Sequence, residues 1–169
     1  YKISIVMGSD SDLATMKPAV DIIEEFGIGL DVCILSAHRT PLEMMDYAKN
    51  AEKNNIKVII AGAGGSAHLP GMIASLTTLP VIGVPVKSKT LKGIDSLLSI
   101  VQMPAGIPVA TVAINGGKNA GILAIQVISL FDEKIREKLK IFRDKMNETV
   151  KIKNNNLKQL GVEKYLQNH

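Results

Sequence analysis

Short apolar runs alternate along this chain with longer segments whose apolar residues recur at helical spacing. The runs are rich in valine and isoleucine and too short for typical helices, so they favour strands. We predict five strands, at residues 3–7, 30–35, 58–61, 81–84 and 109–114. Strands that alternate with helices are typical of parallel sheets with right-handed crossovers. The pattern therefore predicts a three-layer α/β/α doubly wound parallel sheet, flavodoxin-like or Rossmann-like.

Turn residues predict where the helices begin and end. Ser9 or Ser11 is expected to cap the first helix, and Gly27 stands where a glycine follows a helix end. Thr40 and Pro41 predict that a second helix begins at Pro41. Glu43 would complete a capping box with the Thr40 hydroxyl. Residues 36–39 are thereby left in the loop between a strand and this helix.

Beyond Phe131 the chain becomes highly charged. Its apolar residues form one stripe, namely Ile135, Leu139, Phe142 and Met146. A stripe of this kind needs a partner surface. We therefore predict an α/β catalytic domain at 1–131 and a C-terminal helical extension at 132–169, packed on the domain or on a neighbouring subunit. Residues 154–156, three consecutive asparagines, are predicted to link it to a short final helix.

Composition narrows the function classes. With 46% hydrophobic and 21% charged residues the chain is typical of a globular protein. Cys33 is the single cysteine, so neither a disulfide framework nor a cysteine-rich zinc site is expected. A reducing, cytoplasmic setting is the simplest expectation. Residues 113–131 are too polar for a membrane span, and no signal peptide is expected. The net charge of +4 arises in residues 133–169, so nucleic-acid binding is not expected.

Three predicted strand ends are rich in polar or glycine residues. Ligands of open parallel sheets bind at the carboxyl ends of the strands. After the first strand, residues 8–12 read GSDSD, which suits a phosphate at a helix N-terminus or, through Asp12, a sugar hydroxyl. After the second, His38 could transfer protons and Arg39 could hold a phosphate or carboxylate. Plain capping and solvated surface charge are the structural alternatives.

The third strand end is a glycine-rich segment, residues 61–68. Its backbone N–H groups could line a pocket for an anionic or carbonyl oxygen. Gly62, Gly64 and Ala67 also match a dinucleotide-binding pattern, but no acidic residue follows before Asp95 to hold a ribose. NAD binding is therefore not favoured.

Other catalytic motifs are missing from the sequence. It contains no phosphate-binding P-loop and no serine-hydrolase elbow. His38, His68 and His169 are widely spaced, so no metal site is predicted.

Several long motifs together resemble the class I PurE family. They occur in the family's order between about Ile3 and Phe131 and read MGSDSD, SAHRTP, AGAGGSAHLPGM, GVPV and SIVQMPAGIPVATVAI. Members of that family are N5-carboxyaminoimidazole ribonucleotide mutases of purine (IMP) biosynthesis, which are isomerases. The resemblance implies a small-molecule ribonucleotide substrate, no cofactor and a homo-octamer.

The resemblance also implies roles for residues near the phosphate and sugar. Ser9 and Asp12 would contact the ribose phosphate portion of the substrate, and Ser36 and Arg39 would complete the phosphate site. Ser11 would support them.

Around the imidazole ring the resemblance implies a second group of residues. His38 would be the general acid/base, while Gly64, His68 and Leu69 would surround the ring and its migrating carboxylate. Ala37 would have a supporting role. Two other functions remain open: direct carboxylation of aminoimidazole ribonucleotide, as in a second class of the family, and a non-catalytic nucleotide-binding module.

Overall fold

A five-stranded parallel sheet forms the centre of the computed structural model, which describes residues 1–168. The strands are β1 (Lys2–Met7), β2 (Gly29–Ile34), β3 (Ile56–Gly64), β4 (Val81–Val86) and β5 (Ala110–Thr111). Their order in the sheet is β2-β1-β3-β4-β5, the flavodoxin-like order. The predicted fold class is confirmed. His169, considered above as a possible metal ligand, lies outside the described residues.

Helices cover both faces of the sheet. They are α1 (Leu13–Glu25), α2 (Pro41–Asn50), α3 (Leu69–Ala74), α4 (Ile94–Val101), α5 (Gly117–Ser129) and α6 (Glu133–Gln167). Met44 of α2, Ile73 of α3 and Ile100 of α4 belong to one buried cluster with residues of the sheet. On the other face α5 packs so closely on α1 that a Cβ at Gly121 would lie 2.5 Å from Ile22. These contacts form the three predicted layers.

The fifth strand is shorter than predicted. Only Ala110 and Thr111 pair with β4, whereas the apolar run continues to Ile114. The chain then turns at Asn115, which has a φ of 57° and donates its N–H to the carbonyl of Pro85 at 2.8 Å. Residues 112–114 lead into this turn and are partly exposed or exposed, and of these the Val112 N–H still donates to the Gly83 carbonyl of β4 at 3.1 Å.

The first helix ends as predicted and begins differently. Gly27 has a φ of 73°, and the N–H groups of Gly27 and Ile28 donate to Glu24 and Ile23, which is the Schellman pattern. Ser9 caps a short 3-10 turn at Asp10–Asp12, where its side chain accepts from the Ser11 N–H. The residue immediately before α1 is Asp12, whose side chain makes no capping bond.

The second helix begins at Pro41 as predicted, but the capping box is wrong. Thr40 occupies the N-cap position without a side-chain capping bond. Its hydroxyl instead accepts from the Ser36 N–H at 2.9 Å and donates to the Ser36 carbonyl at 3.2 Å. The Thr40 N–H also donates to that carbonyl, at 3.0 Å, so it is not available to Glu43.

Residues from Ser129 onward form a compact unit separate from residues 1–128. Asp132 caps α6 by accepting from the Ile135 N–H at 3.0 Å. The predicted linker at residues 154–156 is wrong because the helix continues through it. The break comes instead at Gly161, where φ is 74° and ψ is 164°, and a short final helical segment follows. Asparagine costs a helix only tenths of a kcal/mol per residue, about the same as serine, threonine or aspartate. Among residues 1–168 no helix is both long and apolar enough to span a membrane.

Candidate active site

The carboxyl ends of β1 to β4 surround a cleft of about 350 Å³. It lies where β1 separates β2 from β3, the switch point at which ligands bind in sheets of this order. All ten residues that the sequence singled out line this cleft, namely Ser9, Ser11, Asp12, Ser36, Ala37, His38, Arg39, Gly64, His68 and Leu69. The fold thus brings them together, while their individual roles stay predictions.

Two histidines that are far apart in sequence meet in the cleft. The Nε2 atom of His38 lies 2.7 Å from the Nδ1 atom of His68, and the two rings are perpendicular with centroids 4.9 Å apart. One of the two nitrogens must carry the shared proton. Among residues 1–168 no group of three or more potential metal ligands occurs, so the pair stands without a third ligand. The contact fixes the orientation of His38 relative to the loop that carries His68.

The loop between β2 and α2 is held by hydrogen bonds of its own side chains. Ser36 Oγ accepts from the Arg39 N–H at 3.1 Å and from Arg39 Nε at 3.4 Å. The guanidinium also donates from Nη2 to the Gly8 carbonyl at 3.2 Å, which ties the loop to the end of β1. Arg39 is otherwise exposed in the cleft, so its remaining donors are open to the cleft.

The loop between β3 and α3 differs from the sequence expectation of free backbone donors. The N–H groups of Ala67 and His68 donate to Gly65 and Ser66, both at 2.8 Å. The Gly65 N–H donates to Ser96 Oγ at 2.9 Å. Three N–H groups of this segment are therefore already occupied, so the segment shapes the cleft and presents His68 with fewer free backbone donors than expected.

The turn after β1 uses its own backbone donors in the same way. The Ser11 N–H donates to Asp10 Oδ1 at 3.0 Å and the Asp12 N–H to the Ser9 carbonyl at 3.1 Å. Asp12 is buried, and the loss of hydration raises its pKa, while hydrogen bonds from the Ser9 N–H and the Ser11 hydroxyl act in the opposite direction. Hydroxyl and carboxyl groups, rather than a row of free N–H groups, are what this turn offers to a ligand.

The end of β4 contributes to the cleft, and the sequence interpretation missed it. Lys87 and Ser88 line the cleft beside Val86. The Lys87 N–H donates to Asn115 Oδ1 at 2.8 Å, and the Ser88 hydroxyl donates to Asp95 Oδ1 at 2.7 Å, which lowers the pKa of Asp95. The signal was present in the sequence, because polar residues follow the fourth apolar run as they follow the first three.

Fold and cleft together define a flavodoxin-like α/β protein with a polar ligand site at its switch point. Residues 2–149 match the AIR carboxylase family, and the chain belongs to that family.

Individual relatives support this placement. An N5-carboxyaminoimidazole ribonucleotide mutase of Thermotoga maritima is 59% identical over 98% of this chain and 96% of its own length. A phosphoribosylaminoimidazole carboxylase of Saccharomyces cerevisiae is 53% identical over 98% of this chain, which corresponds to 29% of the yeast protein. The crystal structure of Treponema denticola PurE superposes with a TM-score of 0.85 at 29% identity, covering 92% of this chain and 98% of the other.

Proposed function

We propose that this chain is an N5-carboxyaminoimidazole ribonucleotide mutase that moves a carboxylate from N5 to C4 of the substrate in purine biosynthesis. The observation that carries the proposal is the placement of His38 and Arg39 in one loop of a cleft lined by all ten predicted residues. The near full-length match to a mutase at 59% identity supports the same reaction.

The cleft would anchor the substrate through its phosphate. Arg39 keeps donors free for it after its bonds to Ser36 and Gly8, and a guanidinium binds phosphate through two parallel hydrogen bonds. Ser9, Ser11 and Ser36 line the same part of the cleft with hydroxyls, and Asp12 can accept from ribose hydroxyls. Anchoring the phosphate holds the imidazole ring within the cleft, and such fixation contributes to the rate.

The proposed reaction requires one proton carrier. The N5–carboxylate bond breaks, its electron pair stays on N5, and carbon dioxide is released inside the cleft. C4 of the electron-rich ring attacks carbon dioxide, and C4 then loses its proton. His38 gives a proton to N5 in the first step and takes one from C4 in the last, so it ends as it began.

His68 and its neighbours complete the proposed site. Through its 2.7 Å hydrogen bond His68 orients the His38 ring and can compensate its change of charge. Gly64, Leu69 and Ala37 line the cleft beside the two rings and would enclose the carbon dioxide. Enclosure favours recapture by C4 over escape to solvent.

Isotope retention tests the reaction directly. The substrate is prepared with a ¹³C-labelled N5 carboxylate and converted in buffer that contains unlabelled bicarbonate, and the C4 carboxylate of the product is analysed by mass spectrometry. A mutase is expected to retain most of the label, because the carbon dioxide is recaptured before it exchanges. Absence of conversion would contradict any catalytic function and favour the non-catalytic nucleotide-binding module.

Direct carboxylation of aminoimidazole ribonucleotide is the second candidate, supported by the match to the yeast carboxylase. In that case the product would carry the unlabelled carbon of bicarbonate, and unsubstituted aminoimidazole ribonucleotide would be carboxylated at ordinary bicarbonate concentrations. The same experiment therefore separates the two reactions.

We also propose that the protein acts as a cytoplasmic homo-octamer, with residues 1–131 as the catalytic domain and 132–169 as a helical extension. Ile94, Leu98 and Val101 follow one another at helical spacing on α4 and are about half exposed, at 51%, 50% and 48%. An exposed apolar row of this kind is typical of an interface. Light scattering should give a particle of eight times 18.2 kDa, and a stable monomer would contradict the octamer.

A further inference from the structure

The loop that presents His68 is held in place from a different helix. Gly65 has a φ of 66°, a left-handed conformation that glycine adopts readily. Its N–H donates to Ser96 Oγ on α4 at 2.9 Å. The Ser96 hydroxyl in turn donates to the Val86 carbonyl at 2.6 Å. One side chain thus connects α4, the end of β4 and the glycine loop.

Ser96 is suited to this task because it is completely buried, with 0% of its surface exposed. Its bond to the Val86 carbonyl is therefore shielded from water, and its bond to Gly65 is partly shielded, so the hydroxyl has no solvent partner as a substitute. Ser99, one turn further along α4, lies 3.2 Å from the Gly65 carbonyl through its Oγ. It also lies 2.7 Å from the Asp95 carbonyl, so its single proton is shared and its hold on Gly65 is weaker.

We infer that Ser96 is a positioning residue for the two histidines of the cleft. It contacts neither ring and acts through the backbone of Gly65, whose carbonyl accepts from the Ala67 N–H at 2.8 Å. The next residue is His68, whose Nδ1 lies 2.7 Å from His38 Nε2. The path from Ser96 to the proposed acid/base therefore consists of four consecutive residues and two side-chain hydrogen bonds.

The positioning role of Ser96 predicts a kinetic effect, and this prediction rests on the proposed mutase function. Removing the Ser96 hydroxyl releases Gly65 and lets His68 move relative to His38, while the Arg39 loop keeps its own hydrogen bonds. Substrate binding through the phosphate should therefore persist, whereas proton transfer should become slower. For Ser96→Ala we expect kcat to fall roughly tenfold, with KM changed by less than about twofold.

A spectroscopic readout on the free protein tests the positioning independently of catalysis. The ¹⁵N shifts of the imidazole nitrogens, detected through carbon-bound ring protons, report the hydrogen bond between His38 and His68. Signals are assigned with His38→Asn and His68→Asn. Ser96→Ala should shift both ring nitrogens of the pair, and Ser99→Ala should shift them in the same direction by less.

Ser4→Ala is the matched control, because Ser4 is also 0% exposed and its hydroxyl bonds to the Tyr47 hydroxyl at 2.6 Å, away from the glycine loop. It should lower the melting temperature without shifting the imidazole signals. A folded Ser96→Ala protein with wild-type imidazole shifts would overturn the inference, and so would equal shifts in Ser4→Ala. If Ser96→Ala does not fold, unchanged shifts in Ser99→Ala overturn it.

The outcomes also separate this inference from the proposed function. Shifted imidazole signals in a protein whose wild type does not convert the substrate would leave the positioning intact and remove the mutase. If the wild-type protein is a working mutase and Ser96→Ala keeps both its kcat and its imidazole shifts, the mutase function stands and the positioning role of Ser96 is removed.

Discussion

The two loops that bring histidines into the cleft are held in opposite ways. In the β2–α2 loop, which carries His38, the hydroxyls of Ser36 and Thr40 bond to backbone groups only three or four residues away. In the β3–α3 loop, which carries His68, Gly65 is held by Ser96, which lies 31 residues further along the chain. The first loop is thus ordered mainly by its own side chains, with one further bond from Arg39 to Gly8. The second has two short backbone bonds of its own but depends in addition on a distant helix.

This difference has a consequence for the chemistry. A loop that orders itself can keep His38 and Arg39 in fixed relation to each other, which suits an acid/base beside an anchored phosphate. A loop ordered by α4 makes the position of His68 depend on how that helix packs. We therefore expect substitutions of His38 and Arg39 in the first loop to remove chemistry or binding, and substitutions around the second loop to reduce the rate without removing it.

Replacing each histidine in turn should give the largest difference in kcat between the two loops. His38→Asn should lower kcat roughly a hundred- to ten-thousand-fold, because the general acid/base is lost. His68→Asn removes only the partner that orients it, so we expect a drop of roughly tenfold, measured as conversion of N5-carboxyaminoimidazole ribonucleotide. Equal conversion by His38→Asn and wild type would remove His38 from the mechanism.

Arg39 tests binding within the same loop. Arg39→Ala loses charge-assisted hydrogen bonds to phosphate, so KM should rise roughly tenfold to a hundredfold while kcat changes less. Arg39→Lys should recover only part of the loss because an ammonium cannot form the planar double contact. Arg143→Ala, an exposed arginine of α6, is the control and should leave KM unchanged. An unchanged KM in Arg39→Ala would place the phosphate elsewhere.

The same contrast explains how far the sequence predicts this molecule. The sheet, the end of α1 at Gly27 and the start of α2 at Pro41 depend on short-range patterns, and all three are confirmed. The strand ends predicted a cleft with the right residues because parallel strands share one carboxyl edge. Local signals thus carry both the fold and most of the lining of the cleft.

Two of the errors arise where another group takes a hydrogen bond that the local pattern assigns elsewhere. The N–H groups of Gly65, Ala67 and His68, which were expected to be free, are occupied, that of Gly65 by Ser96, which no local pattern marks. The expected capping box fails because the Thr40 hydroxyl bonds to Ser36 instead. Such partners become visible only when the chain is folded. Lys87 is a different case, because the polar residues after the fourth apolar run already indicate that it borders the cleft.

Gly65 tests the second loop through its backbone. A Cβ at Gly65 would meet no atom within 4 Å, so Gly65→Ala introduces backbone strain without a clash. We expect a stability loss of about 1–2 kcal/mol and a fall in kcat of roughly threefold to tenfold. Gly106→Ala is the control, since Gly106 has a φ of 99° and equally open surroundings. It should lose similar stability and keep full kcat. If Gly65→Ala and Gly106→Ala lost kcat equally, the loss would reflect lower stability in general and not a specific role of the second loop.

Thr40 tests whether the first loop really orders itself. Thr40→Val keeps the shape of the side chain and removes the hydroxyl that bonds to the Ser36 N–H and carbonyl. The Ser36 carbonyl still accepts from the Thr40 N–H, so we expect a loss of only about 1 kcal/mol in the free energy of unfolding. Denaturant unfolding measures it, and an effect on kcat as large as that of Ser96→Ala would contradict the comparison.

Asp12 gives the smallest expected effect and separates the turn after β1 from both loops. Burial raises its pKa, so the folded protein holds this proton to a higher pH than the unfolded chain does. The stability that Asp12 contributes is therefore greatest below its unfolded pKa of about 3.9 and declines as the pH rises through the raised folded value. Asp12→Asn has no such proton to lose, so its melting temperature should improve relative to wild type between about pH 3 and pH 7. If the melting temperature of Asp12→Asn does not improve relative to wild type as the pH rises, the hydrogen bonds from Ser9 and Ser11 outweigh the loss of hydration.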